Sequence, residues 1–266
     1  MACVGGDDQI KLLRYLNAET FRENPKPYFG YSDNTHLSCY LWKLGIPSFY
    51  GGSVLTQLAM QGQILPETVA SLNWAFFEHG LFELKASAAF ADEDLAWEES
   101  ANLKKYRKME PNDGFYFDGD HSAEGRLWGG CIESLDFMTK VPGRVPELEH
   151  LAGTILFLES SEEIPSHECV KRFMIALGEW GLLKIVKGLV VGRPKAWFFD
   201  RQLSPVAKQN YRKEQREVML EVFREYNPLA PIVMNVDFGH TDPQLILPNG
   251  GLMKIDGVQK KVWVSI

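Results

Sequence analysis

The chain has 266 residues, with 28 lysines and arginines against 35 aspartates and glutamates, and 45% of its residues are hydrophobic. This composition provides enough apolar side chains for a folded core and excludes intrinsic disorder and a collagen-like fibre. The formal net charge of −7 and the scattered cationic side chains argue against a surface for nucleic acid or anionic lipid. We therefore expect the partner to be a small molecule or a peptide.

Cysteine usage and hydropathy indicate the cellular compartment. The four cysteines, Cys3, Cys39, Cys131 and Cys169, lie too far apart for a CxxC, zinc or haem motif, so we interpret them as reduced thiols. The N-terminus lacks a basic segment followed by an apolar core, and no apolar run approaches the roughly 18 residues of a membrane span. The sequence therefore predicts a cytoplasmic protein without a membrane partner.

Strand and helix patterns alternate through the first third of the chain. The expected elements are, in chain order, the end of a strand at 2–4, a helix with Ile10, Leu13 and Leu16 on one face, a strand at 28–30, a helix after Asn34, a strand at 47–50 and a helix from Pro66 to Gly80. This order indicates the α/β class with a parallel sheet, and we assign residues 1–85 to a first domain.

A polar segment separates this region from the rest of the chain. Between residues 91 and 126 the composition changes to Asp, Glu, Lys, Asn and Gly, which predicts a linker and active-site loop over residues 86–126. A second domain, residues 127–266, resumes the α/β order. Its expected elements are a strand at 154–158, a helix at 167–177, a strand at 185–191, a helix at 206–226, a strand at 231–236 and strands near Leu245 and Val262.

Ser32 lies at a sharp bend between a short strand and a helix, in the segment Gly30-Tyr-Ser-Asp-Asn. A nucleophile elbow has this setting, because such a bend presents the hydroxyl to solvent. The amides of Asp33 and Asn34 begin the helix and carry positive partial charge towards an oxyanion. Asn34 stands where the GxSxG motif has its last glycine, and the pattern alone also fits an ordinary turn or cap serine.

His240 is the candidate general base among the six histidines. It follows an apolar strand, and loops at the carboxyl ends of strands gather site residues in α/β sheets. Glu159 ends another apolar strand, where a carboxylate would orient an imidazole or simply reach water. The order Ser32, Glu159, His240 is that of nucleophile, acid and base in α/β-hydrolases.

Two further motifs favour turns over ligand sites. The segment Phe117 to His121 holds two aspartates and a histidine but lacks the spacing of an EF-hand or a HExxH helix. Gly5 and Gly6 lack a GxGxxG or GxxxxGK signature and fit a plain turn or a backbone oxyanion donor. We therefore predict no metal site and no cofactor.

Five segments together resemble one family, the LD-carboxypeptidase serine peptidases, which include the microcin C self-immunity peptidases. They are, in chain order, Gly5-Gly-Asp-Asp-Gln with Leu13-Arg-Tyr-Leu; Asn24-Pro-Lys-Pro-Tyr-Phe-Gly-Tyr-Ser-Asp-Asn-Thr; Trp128-Gly-Gly-Cys-Ile-Glu-Ser-Leu; Gly153-Thr-Ile-Leu-Phe-Leu-Glu; and Phe238-Gly-His-Thr-Asp-Pro with Leu247-Pro-Asn-Gly. The resemblance covers essentially the whole chain.

The resemblance implies a flavodoxin-like N-terminal domain, a C-terminal β/α domain and an active site at their junction. It implies a Ser-His-Glu triad in which Ser32 is the nucleophile, His240 the general base and acid, and Glu159 the residue that holds the imidazole. By the same similarity, the backbone N–H groups of Asp33 and Gly6 would form the oxyanion hole.

The resemblance also implies a reaction and its partners. The expected reaction is hydrolysis of an amide bond, either in a murein-type tetrapeptide, with release of terminal D-alanine, or in a peptidyl or aminoacyl-nucleotide such as microcin C. No cofactor is needed, and members often form homodimers. The segment 91–126 looks more like the microcin-immunity branch, with Trp97, Tyr106 or Trp128 as candidates for stacking on a substrate.

Members of the family carry several dozen residues before the turn at Gly5 and Gly6, which here lies almost at Met1. The first domain is therefore expected to be truncated, with an open sheet edge. A rival hypothesis follows from this: a non-catalytic remnant or ligand-binding module of the same fold, which would bind a ligand without turnover.

Overall fold

The computed structural model describes residues 1–78 and 80–266. Helices connect the strands of a parallel sheet in these ranges, so the predicted α/β class is confirmed. The described ranges contain no helix long and apolar enough to cross a membrane. Residue 79, within the predicted helix from Pro66 to Gly80, lies outside the described residues.

Eight α-helices lie in the described ranges. They are α1 (Ala18–Glu23), α2 (Thr35–Lys43), α3 (Pro66–Asn73), α4 (Ile132–Thr139), α5 (Leu148–Leu151), α6 (His167–Trp180), α7 (Leu182–Ile185) and α8 (Pro205–Tyr226). Shorter 3-10 helices cover Gln9–Tyr15, Ser32–Asn34 and Ser100–Lys104, and π-helical turns cover Val54–Leu58 and Trp74–Glu78.

The strands of the described chain are β1 (Phe29–Gly30), β2 (Ser48–Tyr50), β3 (Phe82–Leu84), β4 (Ala89–Ala91), β5 (Met109–Pro111), β6 (Tyr116–Asp118), β7 (Ser122–Cys131), β8 (Ile155–Glu159), β9 (Gly188–Gly192), β10 (Trp197–Phe198), β11 (Arg201–Gln202), β12 (Ile232–Val236), β13 (Leu247–Asn249), β14 (Leu252–Asp256) and β15 (Lys261–Ser265).

The largest sheet has the strand order β3-β15-β14-β7-β8-β9-β12-β6. Its centre, β7-β8-β9-β12, is parallel, and the strands on both flanks are antiparallel. The predicted parallel sheet is therefore present at the centre, and the hairpins near the C-terminus and the segment before β7 add antiparallel strands at the flanks. The parallel centre brings the carboxyl ends of four strands to one edge.

A small sheet, β1-β2-β13, lies beside this structure. Strands β1 and β2 are parallel, while β13, from near the C-terminus, joins β2 antiparallel. Strand β3, from the first third of the chain, pairs in turn with β15 of the large sheet. Distant parts of the chain therefore share both sheets.

The core lies on both faces of the large sheet, as strand β8 illustrates. Leu156 and Leu158 pack with side chains of α4, α6 and α8, whereas Ile155 and Phe157 pack with side chains of the small sheet. All five residues of β8 are buried, which fits a strand covered on both faces. Each such apolar side chain contributes roughly 1.5–3 kcal/mol by leaving water.

Several predicted elements differ from the structure. Residues 2–4 form no strand, although the Ala2 N–H donates to the Phe29 carbonyl at 2.7 Å beside β1. The segment 86–126, expected as a polar loop, contains β4, β5, β6 and the first part of β7. Helices α6 and α8 agree with the prediction to within a few residues.

Candidate active site

The site is built at the carboxyl edge of the parallel strands. Glu159 is the last residue of β8, and His240 lies four residues beyond the end of β12. Ser32 approaches the same edge from the small sheet, two residues after β1. The topology therefore brings together three residues that are far apart in the sequence, since the ends of parallel strands meet at one edge.

Ser32 has a strained backbone. Its φ is +61°, a left-handed conformation that side chains other than glycine rarely adopt. Holding a serine there costs on the order of 1–2 kcal/mol, which the surrounding structure has to supply. The bend separates β1 from the 3-10 helix Ser32–Asn34 and directs the half-buried serine into a cavity.

Asn34 and Asp33 hold the turn at Gly5 and Gly6 against this bend. The Asn34 side-chain amide donates to the Val4 carbonyl at 3.2 Å, and the Asp33 carboxylate accepts from the Gln9 N–H at 2.9 Å. A Cβ on Gly5 would lie 3.1 Å from Ser32 Oγ, so only glycine fits without displacement. Asn34 thus has a positional role at the site where a GxSxG motif has glycine.

His240 and Glu159 form a short hydrogen bond. The distance from His240 Nδ1 to Glu159 Oε2 is 2.6 Å, and both side chains are buried. Gly239 makes this approach possible, because a Cβ there would lie 2.6 Å from Glu159 Oε2, and its φ is +97°. The carboxylate therefore fixes the ring orientation and leaves Nε2 directed elsewhere.

Tyr50, at the end of β2, connects Glu159 to the bend. Its hydroxyl donates to Glu159 Oε1 at 2.5 Å and accepts from the Ser32 N–H at 3.3 Å. Burial, followed by the charge of Glu159, raises the pKa of Tyr50 well above its ordinary value, so the hydroxyl stays a donor at neutral pH. One side chain thereby links the two sheets at the site.

The second ring nitrogen of His240 faces another carboxylate. Nε2 lies 3.1 Å from Glu162 Oε2, and the hydrogen bonds of the described residues include none between Nε2 and Ser32 Oγ. Burial on its own would lower the pKa of His240, but Glu159, with Glu162 and Glu133, outweighs it and raises the pKa to about 9. At neutral pH this imidazole is mainly protonated.

A cavity of about 300 Å³ joins these groups. Its wall includes Ser32, His240, the turn at Gly5 and Gly6, and three aromatic side chains, Trp97, Phe198 and Phe199. A larger cavity of about 680 Å³ lies around Glu93, Lys108 and helix α8 and contains neither Ser32 nor His240. The smaller cavity is the candidate active site, because of the two it alone is lined by the predicted nucleophile Ser32 and the predicted base His240.

The chain segment that covers this cavity is residues 86–113, which we call the strap. Ala91 in β4 exchanges two backbone hydrogen bonds with Asp242, at 2.7 and 3.0 Å. Arg107 pairs with Asp94 at 2.7 Å and also with Asp242, and Lys195 Nζ donates to the carbonyls of Asp92 and His240. The strap is therefore tied directly to the loop that carries His240.

The described residues show no cluster of three or more histidine, cysteine, aspartate or glutamate side chains suited to a metal ion. In the segment from Phe117 to His121, Asp118 pairs with Arg224 and Asp120 pairs with Lys260. Phe117 and Asp118 belong to β6, so only the second half of the segment is the predicted polar turn.

Two family models match the chain. The LD-carboxypeptidase N-terminal domain matches residues 1–51, and the LD-carboxypeptidase C-terminal domain matches residues 124–255. The chain belongs to the LD-carboxypeptidase family. The resemblance inferred from the five sequence motifs is therefore confirmed.

Curated LD-carboxypeptidase relatives align over most of their length. The microcin C7 self-immunity protein MccF of Escherichia coli is 27% identical over 100% of this chain and 73% of its own length. A putative carboxypeptidase of Vibrio cholerae is 27% identical over 96% of this chain and 71% of its own length. The second of these names is that of a carboxypeptidase, and the first is that of a self-immunity protein.

Solved structures of the LD-carboxypeptidase family share the fold. An MccF-like protein from Streptococcus pneumoniae in complex with AMP has a TM-score of 0.84 and 26% identity, covering 99% of this chain and 77% of that one. MccF in complex with aspartyl sulfamoyl adenosine has a TM-score of 0.82 and 25% identity, covering 100% of this chain and 75% of that one.

The structure of this member of the LD-carboxypeptidase family places the aromatic candidates differently. Trp128, predicted to contact the substrate, is 1% exposed and packs in the core under α4, so it does not reach the cavity. It lies on β7 and points to the helix-covered face of the sheet. Trp97 lines the cavity instead and is 47% exposed.

Sequence reasoning missed two residues of this family member's site. Tyr50 was assigned only to a strand, although its position at the carboxyl end of β2 was a usable signal. Glu162 follows Glu159 by three residues, and nothing in the local pattern distinguishes it from its neighbour Glu163. Only the fold shows that Glu162 meets His240.

Proposed function

We propose that this protein is a serine amide hydrolase in which Ser32, His240 and Glu159 form the catalytic triad. The observation that carries the proposal is the 2.6 Å hydrogen bond from His240 Nδ1 to Glu159, in a cavity that Ser32 also lines from a strained bend. A histidine held by a carboxylate, with a serine in the same cavity, supports the arrangement of nucleophile, base and orienting acid on which serine hydrolases converge.

The reaction is acyl transfer in two halves. Ser32 Oγ attacks the amide carbonyl while His240 Nε2 takes the hydroxyl proton, and the same nitrogen then gives that proton to the leaving amine. Water, deprotonated by His240, hydrolyses the ester and restores Ser32. Glu159 stays ionised throughout and stabilises the imidazolium.

The developing oxyanion requires N–H donors. We propose the backbone amides of Asp33 and Gly6, as the sequence suggested. In support, the Gly5-Gly6 turn lies against Ser32, and the Gly6 N–H donates no hydrogen bond within the described residues. Donors of this kind contribute roughly 100- to 1,000-fold in rate each.

The substrate we propose is a peptidyl or aminoacyl-nucleotide with an amide or amide-like linkage. The relatives solved with AMP and with aspartyl sulfamoyl adenosine support this choice. So do Trp97, Phe198 and Phe199 in the cavity wall, because aromatic faces stack on nucleobases. A murein-type tetrapeptide remains the alternative substrate, since the family is one of carboxypeptidases.

The test is incubation of the purified chain with aspartyl sulfamoyl adenosine and, separately, with a murein tetrapeptide, with products identified by mass spectrometry. We expect release of the nucleoside sulfamate, and its loss in both Ser32→Ala and His240→Asn. Full activity in Ser32→Ala would refute the triad. Tight binding by folded protein without any turnover would support the rival ligand-binding module.

A further inference from the structure

Glu162 lies against the ring nitrogen of His240 that acts as the base in the proposed reaction. Its Oε2 lies 3.1 Å from His240 Nε2, the nitrogen that has to receive the Ser32 proton in the proposed reaction. Neither of these two buried atoms has a hydrogen-bond partner within the described residues, so the contact is one of opposite charges without an aligned hydrogen bond. The Glu162 side chain is 37% exposed and lines the same cavity.

The charges around His240 favour its protonated form. Glu159 faces it from β8, Glu162 from the loop after β8, and Glu133 from α4. The edge of the His240 ring meets Tyr31, which is neutral, and Lys195 Nζ contacts the His240 carbonyl. These carboxylates favour the imidazolium form of the ring, in which Nε2 already carries a proton and cannot accept another.

The rest of the cavity wall is also short of cations. Asp7 and Glu98 line the cavity without an ion pair in the described part of the chain. The cations of the wall are already paired: Arg107 with Asp94 and Asp242, and Lys195 with Asp94. A substrate with an ammonium group would find carboxylates there that no protein cation neutralises. The complementary charge would favour such a substrate over a neutral one.

We propose that Glu162 holds His240 inactive in the free enzyme and that a substrate ammonium group releases it by pairing with Glu162. The inference rests on the proposed function. Glu162 is then a positioning residue and a specificity determinant for amide substrates that carry a free amino group near the acyl carbon.

The proton balance is simple. In the free enzyme His240 carries protons on both nitrogens. When the substrate ammonium neutralises Glu162, the imidazolium loses one of its anionic partners, and the Nε2 proton passes to solvent. The neutral ring then accepts the Ser32 proton during attack and returns it to the leaving amine, as in the unaided reaction.

The kinetic test compares aspartyl sulfamoyl adenosine, with its free α-amino group, and the N-acetylated derivative of the same compound. We expect the wild type to prefer the free amine at least tenfold in kcat/KM near pH 7, and Glu162→Gln to lose that preference. Glu162→Gln should also reach its maximal kcat/KM at least one pH unit lower. Glu163→Gln, which alters the exposed neighbour, should behave as the wild type.

A second measurement does not depend on turnover. The His240 ring is titrated by NMR in Ser32→Ala and in Ser32→Ala combined with Glu162→Gln, and the second protein should titrate at least one pH unit lower. An unchanged titration, or an unchanged amine preference in Glu162→Gln, would overturn the proposal. If no variant or wild type hydrolyses either compound, the proposed function fails, while the titration still decides whether Glu162 acts on His240.

Discussion

The imidazole of His240 has a carboxylate at each ring nitrogen, Glu159 at Nδ1 and Glu162 at Nε2. The first is a hydrogen bond that orients the ring, and the second is a charge contact at the nitrogen that must act as base. The two carboxylates therefore have opposite effects on the proposed reaction. Glu159 orients the imidazole as a base, and Glu162 favours its protonated form, which cannot act as a base.

The pH dependence of the rate follows from the pKa of His240, which its carboxylate neighbours raise to about 9. Only the neutral ring accepts a proton, so kcat/KM should rise about tenfold per pH unit below that value and level off above it. Steady-state rates between pH 5 and 10 provide the measurement. A profile already flat at pH 6.5 would contradict this assignment.

The hydroxyl of Tyr50 should matter for kcat more than for KM. Tyr50→Phe removes the donor to Glu159 and the acceptor for the Ser32 N–H, and a hydrogen bond to a charged group contributes about 1.5–3 kcal/mol. We expect kcat to fall roughly 10- to 100-fold. Tyr40→Phe, whose hydroxyl only reaches the Leu16 carbonyl, is the matched control and should keep wild-type kinetics.

At the scale of elements, the strap and the His240 loop behave as one unit. Backbone hydrogen bonds join Ala91 to Asp242, and Arg107 bridges Asp94 and Asp242 with a side chain that is 6% exposed. Substrate access to the cavity therefore depends on a segment that is anchored by charges as well as by strand pairing.

Removal of the Arg107 charge should destabilise this unit. Arg107→Ala leaves the buried Asp242 without its ion-pair partner and leaves Asp94 with Lys195 alone, which costs about 3 kcal/mol at a largely buried site. Urea unfolding of the two proteins measures the difference. Lys104→Ala, an exposed strap residue without an ion pair among the described residues, should unfold as the wild type does. Equal stabilities of Arg107→Ala and wild type would show that the bridge is not needed.

Helices with a clear hydrophobic periodicity were predictable from the sequence. Short strands that form only by pairing with another strand were not. In α6, residues three and four apart lie on one face of the helix. The sequence spacing therefore predicted the buried face, which consists of Val170, Phe173, Met174 and Leu177. Strands β4 and β5 pair with each other across a polar segment, and β6 pairs with the distant strand β12. Local hydropathy has no information on such pairing.

At the scale of the whole molecule, two sheets meet so that Ser32, beside the small sheet, and His240, beside the large sheet, line one cavity. Sequence order and strand ends identified these three as candidates, and the fold brings Glu159 and His240 into contact. The position of Tyr50 at a strand end was a usable signal, but its contact with Glu159, 109 positions away, was not predictable. Glu162 gave no signal, since its contact with His240, 78 positions away, depends on loop geometry. The site is thus a product of topology as much as of motif.

The ion pair between His240 and Glu159 also makes the stability of the whole protein depend on pH. The pKa of His240 is about 9 when folded, above the 6.5 of an exposed histidine, so folding favours its protonated form. This stabilisation is complete below about pH 6.5 and is lost as the pH rises through about 9; it is on the order of 3 kcal/mol. Urea unfolding at pH 6 and pH 10 should show that loss in the wild type and a smaller one in His240→Asn. Identical pH dependence in both would contradict it.

The most direct measurement of the central claim is to trap the acyl-enzyme. The wild type is mixed with aspartyl sulfamoyl adenosine, quenched in acid within the first turnovers and digested for peptide mass spectrometry. The account predicts an aspartyl ester on the peptide that contains Ser32, and no adduct in Ser32→Ala. Turnover by Ser32→Ala would contradict the account. An adduct on a residue other than Ser32 in the wild type would contradict it too.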